Sequence, residues 1–282
     1  MALESAAARP APLVIRASTG WSALNLAEVW QFRDLLMTLA SRDVRLRYKQ
    51  TALGVIWVVL QPLIAAGIFA FIFGKVAGIS GPNGLPLFLF SYTALMAWNL
   101  FNNTVQKASA CLIGNTNLIS KVFFPRLVLP MSTVPSTMLD FVVSMGLMVG
   151  LMAWYRVVPG LPLLMLPVLV ALLLMIALGI GLWTAALMVS YRDVQYVLPV
   201  FTQMLMWVSG VLVPLEKFSG EARTIALLNP VCGLINGFCW SMLGIGSPEW
   251  GALAYSACFS IGVLGIGALV FKRMERRFAD VI

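Results

Sequence analysis

Two groups of polar side chains stand in stretches that are otherwise apolar. Between Leu87 and Gln106, the residues Tyr92, Asn99, Asn102, Asn103 and Gln106 recur at spacings of three, four and seven. At roughly 100° of rotation per helical residue they share an arc of about 100°, with Trp98 at its border. Between Leu127 and Tyr155, the residues Thr133, Ser136, Thr137, Asp140 and Ser144 fall on one face by the same reckoning. Carboxamides and hydroxyls at helical spacing support two kinds of chemistry. They bond packed helices to one another, or they line a polar passage through the protein. Asp140 is the one acidic residue deep in such a stretch. It is either held by a neighbouring Ser or Asn or faces the passage, and a proton relay through it lacks further members.

Catalytic and phosphate-cradling chemistry is missing. The chain has no histidine. It has no Ser/His/Asp set, no metal-ligand cluster and no paired carboxylates. Nor is there a Gly-x-x-x-x-Gly-Lys-Ser/Thr loop: Gly74-Lys75 has Phe69 where the first glycine belongs and Val76 after the lysine. The chain is therefore expected to catalyse nothing by itself, to hold no metal and no cofactor, and to leave any ATP hydrolysis, with its ATP and Mg, to a separate subunit. The cysteines Cys111, Cys232, Cys239 and Cys258 form no Cys-x-x-Cys pair. Cys232 and Cys239 on one helix would stand about 10 Å apart along its axis, too far for a disulfide, so buried free thiols are expected.

The elements that carry these residues must be membrane helices. Of 282 residues, 60% are hydrophobic and 11% charged, with a mean hydropathy of +0.91; soluble domains carry about 25% charged residues. An all-α integral membrane fold with six spans is predicted over about Leu53–Phe73, Leu87–Gln106, Leu127–Tyr155, Leu163–Ser190, Val197–Val213 and Gly251–Phe271, each near the ~20 residues that cross a bilayer. A further apolar stretch, Ile225–Leu243, is broken by Asn229-Pro230, Gly233 and Gly237, and reads as an outer re-entrant hairpin over about 221–245. The net charge is +8. Six spans put fifteen Lys and Arg on the side of both termini against four (Lys75, Arg156, Lys217, Arg223) opposite, which makes that side cytoplasmic. Residues 1–20 carry Arg9 and Arg16 but no long apolar core, so no signal peptide is expected; this Ala/Pro-rich start reads as disordered.

Residues 21–50 are expected to form a cytoplasmic segment ahead of the six-span membrane body at 51–275, and 276–282 a cytoplasmic tail. Over about Ala27–Ala40, the stripe Val29, Phe32, Leu36 and Leu39 opposes Gln31, Asp34 and Thr38, as in an amphipathic helix lying on the membrane or docked on a partner. Arg42, Asp43, Arg45, Arg47 and Lys49 then abut an uncharged run from Thr51 to Leu60. Between the second and third spans, "ACLIGNTNLISKVFFPRLVLP" offers a helix start at Asn115–Asn117 and a stop at Pro125; a short amphipathic helix there is able to pass motion from a soluble motor to the spans. Trp21, Trp30, Tyr48, Trp154, Tyr155, Tyr191 and Trp250 lie near span ends as interfacial aromatics. Trp57, Tyr92, Trp98, Trp183 and Trp207 lie deeper, where packing competes with lining a sugar path.

These motifs resemble, in order over about residues 27–275, the permease subunits of bacterial type-two polysaccharide ABC exporters, which move O-antigen, capsule and teichoic acid. "RDVRLRYKQTALGVIWVVLQPL" resembles the start of their first span and "NLISKVFFPRLVLP" their coupling segment. "SYRDVQYVLPVFTQMLMWVSGVLVP" is similar to their fifth span with its approach, and "LNPVCGLINGFCW" to their outer hairpin. Two positions depart: Gly210 stands where the family commonly has proline, and Cys239 where arginine is frequent. The resemblance implies a homodimer bound to two copies of an ABC ATPase in the bacterial inner membrane, exporting an undecaprenyl-diphosphate-linked polysaccharide. It implies a channel along Trp57, Tyr92, Trp98, Asn99, Asn102, Asn103, Gln106, Thr133, Ser136, Asp140 and Trp207. It places carrier diphosphate near Arg45, Arg47, Tyr48 and Lys49, where arginine's fork suits phosphate. ATPase coupling falls on Asn115, Asn117, Leu118, Ile119, Lys121 and Phe123.

Two other readings compete. A permease of the same fold for drugs or small lipids needs no wide polar path. A membrane scaffold or enzyme acting on lipid-linked sugars needs a nucleophile or acid/base set facing its substrate, for which Asp140 alone is on offer.

Overall fold

The structure, a computed structural model, describes residues 30–49, 54–245 and 248–281, with side chains for 30–46, 56–245 and 248–275. The expected disordered start lies outside them. Every regular element among the described residues is helical. Helix α1 spans Arg33–Lys49 and α2 Gly54–Phe69, continued by a π-helical stretch over Ala70–Val76. Then come α3 (Leu87–Ala110), the short α4 (Thr116–Lys121), α5 (Val128–Trp154) and α6 (Leu166–Ser190). Helices α7 (Val194–Val208), α8 (Gly220–Leu228), α9 (Pro230–Leu243) and α10 (Trp250–Val281) complete the chain.

A helix occupies each of the six expected span positions. Among the described residues, four segments are long and apolar enough to cross a membrane unaided: Ile56–Val76, Val128–Trp154, Leu161–Ser190 and Trp250–Glu275. Helix α3 has 24 residues, about 36 Å of rise, but carries the polar stripe. The fifth expected span is shorter than the sequence suggests. Helix α7 stops at Val208 after 15 residues, because Gly210 turns left-handed at φ +69°; its rise of about 22 Å falls short of a ~30 Å hydrocarbon core.

The apolar stretch Ile225–Leu243 is indeed broken. Helices α8 and α9 meet at 96°. Asn229 makes the corner: its side chain accepts the Val231 N–H at 3.0 Å, and Pro230 takes the first helical position, where no N–H is needed. Beyond the corner, α9 is buried. Gly233 lies against Ser256 of α10 and Gly237 against Leu253 and Leu169, so this helix is walled by protein on these sides. Cys232 and Cys239 are buried within it and Cys111 is buried too, but Cys258 is exposed, against expectation.

Helix α6 is the centre of the bundle and packs through small residues on two sides. A Cβ on Gly267 of α10 would stand 2.1 Å from the Gly179 carbonyl oxygen, and one on Gly181 would stand 2.6 Å from the Ala108 Cβ of α3. Lipid tails are as apolar as the helices, so close backbone approach is what these contacts gain. At the α1 end of the bundle, Leu39, Leu112, Phe124, Leu127, Ala185 and Phe271 form one buried cluster. The two ends of the described chain therefore meet there, together with the 111–127 segment.

Helix α1 is docked on this cluster rather than free at a surface. Phe32, Leu35 and Leu36 are half-buried and Leu39 and Ala40 buried, a stripe that adds Leu35 to the expected set. The helix also runs nine residues past the expected end at Ala40, so Arg42, Asp43 and Arg45 are helical.

Candidate functional site

The two polar stripes face each other in part. Helices α3 and α5 run side by side, and their side chains cross the gap. Tyr92 donates from its hydroxyl to the Ser144 carbonyl at 3.1 Å. Thr104 donates to the Thr137 hydroxyl at 3.2 Å. Lys107 donates to the Ser136 hydroxyl at 2.8 Å and reaches Asp140 Oδ2 at 3.4 Å. Thr133, Ser136, Thr137, Asp140 and Ser144 are all buried.

Lys107 corrects the sequence reading. The expected second span ends at Gln106, which left Lys107 in a loop and Asp140 without a charged neighbour. Helix α3 instead continues to Ala110, and the extra turn swings Lys107 onto α5. The side chain of Asp140 is 7% exposed and that of Lys107 29%, so the carboxylate sits behind the ammonium. An ion pair of this kind is costly to break and modest in net worth. The available signal was rotational: Lys107 lies about 80° from Asn99, at the edge of the polar arc.

The rest of the α3 stripe divides by direction. Gln106 donates to Thr202 of α7 at 3.2 Å, while Thr104 and Lys107 point to α5. Asn99 and Asn103 fall between these two bonded directions by helical rotation, and both are half-buried. Asn102 is also half-buried, with a buried Oδ1 that lacks a hydrogen-bond partner. Tyr92 and Trp98, expected on the passage, lie instead in the packed interior. Tyr92 is fully buried and Trp98 nearly so, the indole tilted against Phe101 with centroids 5.3 Å apart. Trp57 and Trp207 are 55% and 57% exposed on the outside of the chain.

A second set of contacts fixes the 111–127 segment. Arg42 of α1 donates to Asn115 Oδ1 at 2.8 Å. At the other end, Glu275 of α10 accepts the Arg126 N–H at 3.2 Å, and the Arg126 guanidinium returns to the Glu275 carbonyl at 2.8 Å. A carboxylate here suits the start of α5. Of the expected coupling residues, Leu118 and Ile119 turn inward onto the α1-end cluster. Asn117 and Lys121 are exposed. Phe123 is 64% exposed, and it joins Ile113 and Val122 as exposed apolar groups. Arg45 is exposed on α1; the side chains of Arg47, Tyr48 and Lys49 lie outside the described residues.

Known proteins share this chain's length and pattern. An O-antigen export system permease protein RfbA of Myxococcus xanthus is 29% identical over 257 residues, covering 90% of this chain and 98% of the relative. One of the same name from Klebsiella pneumoniae is 25% identical over 88% of this chain and 95% of its own. The polysialic acid transport protein KpsM of Escherichia coli is 24% identical over 83% and 91%. The family profile of ABC-2 type transporters matches residues 34–243, and the chain belongs to that family as a membrane permease, not an enzyme.

Proposed function

We propose that the chain is the permease of an ATP-driven polysaccharide exporter, of the O-antigen or capsule type named in its relatives. Two copies form the conduit, each engages a separate ATPase, and the substrate is a glycan on an undecaprenyl-diphosphate carrier. Six spans cross the bacterial inner membrane with both termini cytoplasmic. The convergence of α1, the 111–127 segment and the end of α10 at one end of the bundle supports that even count. Fifteen Lys and Arg on the same side support its cytoplasmic placement.

One observation carries the glycan reading over that of a small-lipid permease. Asn99 and Asn103 carry half-buried carboxamides at rotations on α3 between its α5-bonded and α7-bonded faces, and carboxamides facing lipid are costly. A sugar chain, rich in hydroxyls, matches such a surface. The exposed Ile113, Val122 and Phe123 supply an apolar docking face for the ATPase. The test is export in cells carrying Asn99→Leu with Asn103→Leu. Export is expected to fall about tenfold or more, as when several hydrogen bonds to a substrate are lost together, while the chain still assembles as a dimer and co-purifies with the ATPase. Normal export returns these residues to helix packing. An ATPase stimulated only by small drugs selects the second reading.

A further inference from the structure

A cavity of about 500 Å³ opens beneath α1, between α3 and α5. Asp43 and Leu46 form its α1 wall, Lys107 its α3 wall, and Ser132, Thr133 and Ser136 its α5 wall. The three hydroxyls are buried, and each donates to a carbonyl of its own helix. Those carbonyls belong to a helix, so a hydroxyl is able to turn away from them toward a ligand at small cost.

The charges in the cavity are graded. Asp43 is engaged by Arg42, whose Nε and Nη2 reach its Oδ1 at 3.2 and 3.0 Å. Lys107 is held tightly by Ser136 at 2.8 Å and more loosely by Asp140 at 3.4 Å; a charge-assisted bond at full strength measures about 2.7–2.9 Å. The ammonium therefore stands between a buried carboxylate and the cavity. Leu46 and Leu129 give the same cavity an apolar side, and Leu46 is exposed at its edge. A cation, three hydroxyls and an apolar wall at one end of a membrane bundle fit a phosphate ester with a hydrocarbon tail.

We propose that this cavity binds the phosphate of a membrane lipid headgroup, with Lys107 meeting the phosphate and Asp140 as the counter-charge that keeps the binding reversible. The transport reading is needed only to make this a station on the substrate's route. The binding stands or falls without it. Asp140 lowers affinity by repelling the anion, whereas Lys107 supplies the attraction, so the two residues have opposite effects. A pair that only braces α3 against α5 would act in one direction.

The full-length chain in phosphate-free dodecyl maltoside micelles, titrated with farnesyl diphosphate, tests this. Lys107→Gln is expected to weaken binding about tenfold or more. Asp140→Asn is expected to tighten it about threefold. Because Lys107→Gln alone leaves a buried carboxylate, the double variant Lys107→Gln with Asp140→Asn is included; it is expected to keep the thermal stability of the parent and still bind weakly. Equal effects of the two single changes, or unchanged binding in the double variant, overturn the site. Inorganic diphosphate binding as tightly as farnesyl diphosphate overturns the lipid assignment in favour of a soluble phosphate. No binding by the parent chain, with intact export, removes the site and spares the transport reading; intact binding in a chain that engages no ATPase does the reverse.

Discussion

Two seams in this bundle solve the same problem with different materials. Where α6 meets α10, backbone touches backbone: Gly179 and Gly267 leave no room for a single added carbon. Where α3 meets α5, side chains span the gap through the Tyr92, Thr104 and Lys107 contacts. The glycine seam gains van der Waals contact and admits nothing else. The polar seam is bridged by side chains, and the cavity beneath α1 opens at its edge. Close backbone packing and an open cavity thus fall on different faces of one bundle. Helix α3 meets α6 closely on its other side, where its Ala108 lies against Gly181 and its neighbour Ser109 shares a 2.5 Å hydrogen bond with Thr184.

The comparison breaks most easily on the glycine side. Gly267→Ala is expected to cost about 3 kcal/mol, because the new methyl meets a backbone oxygen that cannot yield. A loss of monodisperse protein on size exclusion and a lower Tm would register it, and an unchanged Tm would mean that the seam is looser than the structure has it. The polar side should bend before it breaks. Lys107→Gln is expected to cost about 2 kcal/mol, less than for a fully buried pair because the lysine is partly exposed. Adding Asp140→Asn should restore most of the loss in the same thermal assay; no restoration would place the pair's value elsewhere. The smallest effect is Thr104→Val, about 0.6 kcal/mol for one interhelical hydrogen bond in a membrane. A cost above 2 kcal/mol there would make the two seams equally unforgiving.

Much of this arrangement was legible in residue spacing. The α5 stripe predicted from periodicity is buried along its whole length. The break at Asn229-Pro230 is written in residue types whose backbone preferences are local, whereas the stop at Gly210 is overrun by a span read from apolarity to Val213. Depth was not legible. Tyr92 shares an arc with Asn99, yet it is sealed in the core, because rotation on one helix does not say which neighbour covers which turn. Likewise Leu118 and Ile119, expected to couple to the ATPase, turn inward, since the buried cluster they pack on gathers residues from Leu39 to Phe271. Lys107 was misplaced for a simpler reason. A span read from apolarity ends at the first charge, whereas a helix ends only where its hydrogen bonds stop.

The sequence by itself determined a membrane solvent, helices at six positions, a basic end and two polar stripes, because hydropathy, charge and the 3.6-residue period act within short windows. Only the tertiary structure decided that Asp140 has a lysine in front of it, that Gln106 turns to α7 while Thr104 and Lys107 turn to α5, and that a cavity lies under α1. Each of these depends on which helix stands beside which, and that follows from packing between residues far apart in the chain: a glycine pair 88 positions apart for α6 and α10, and a Lys–Asp pair 33 apart for α3 and α5.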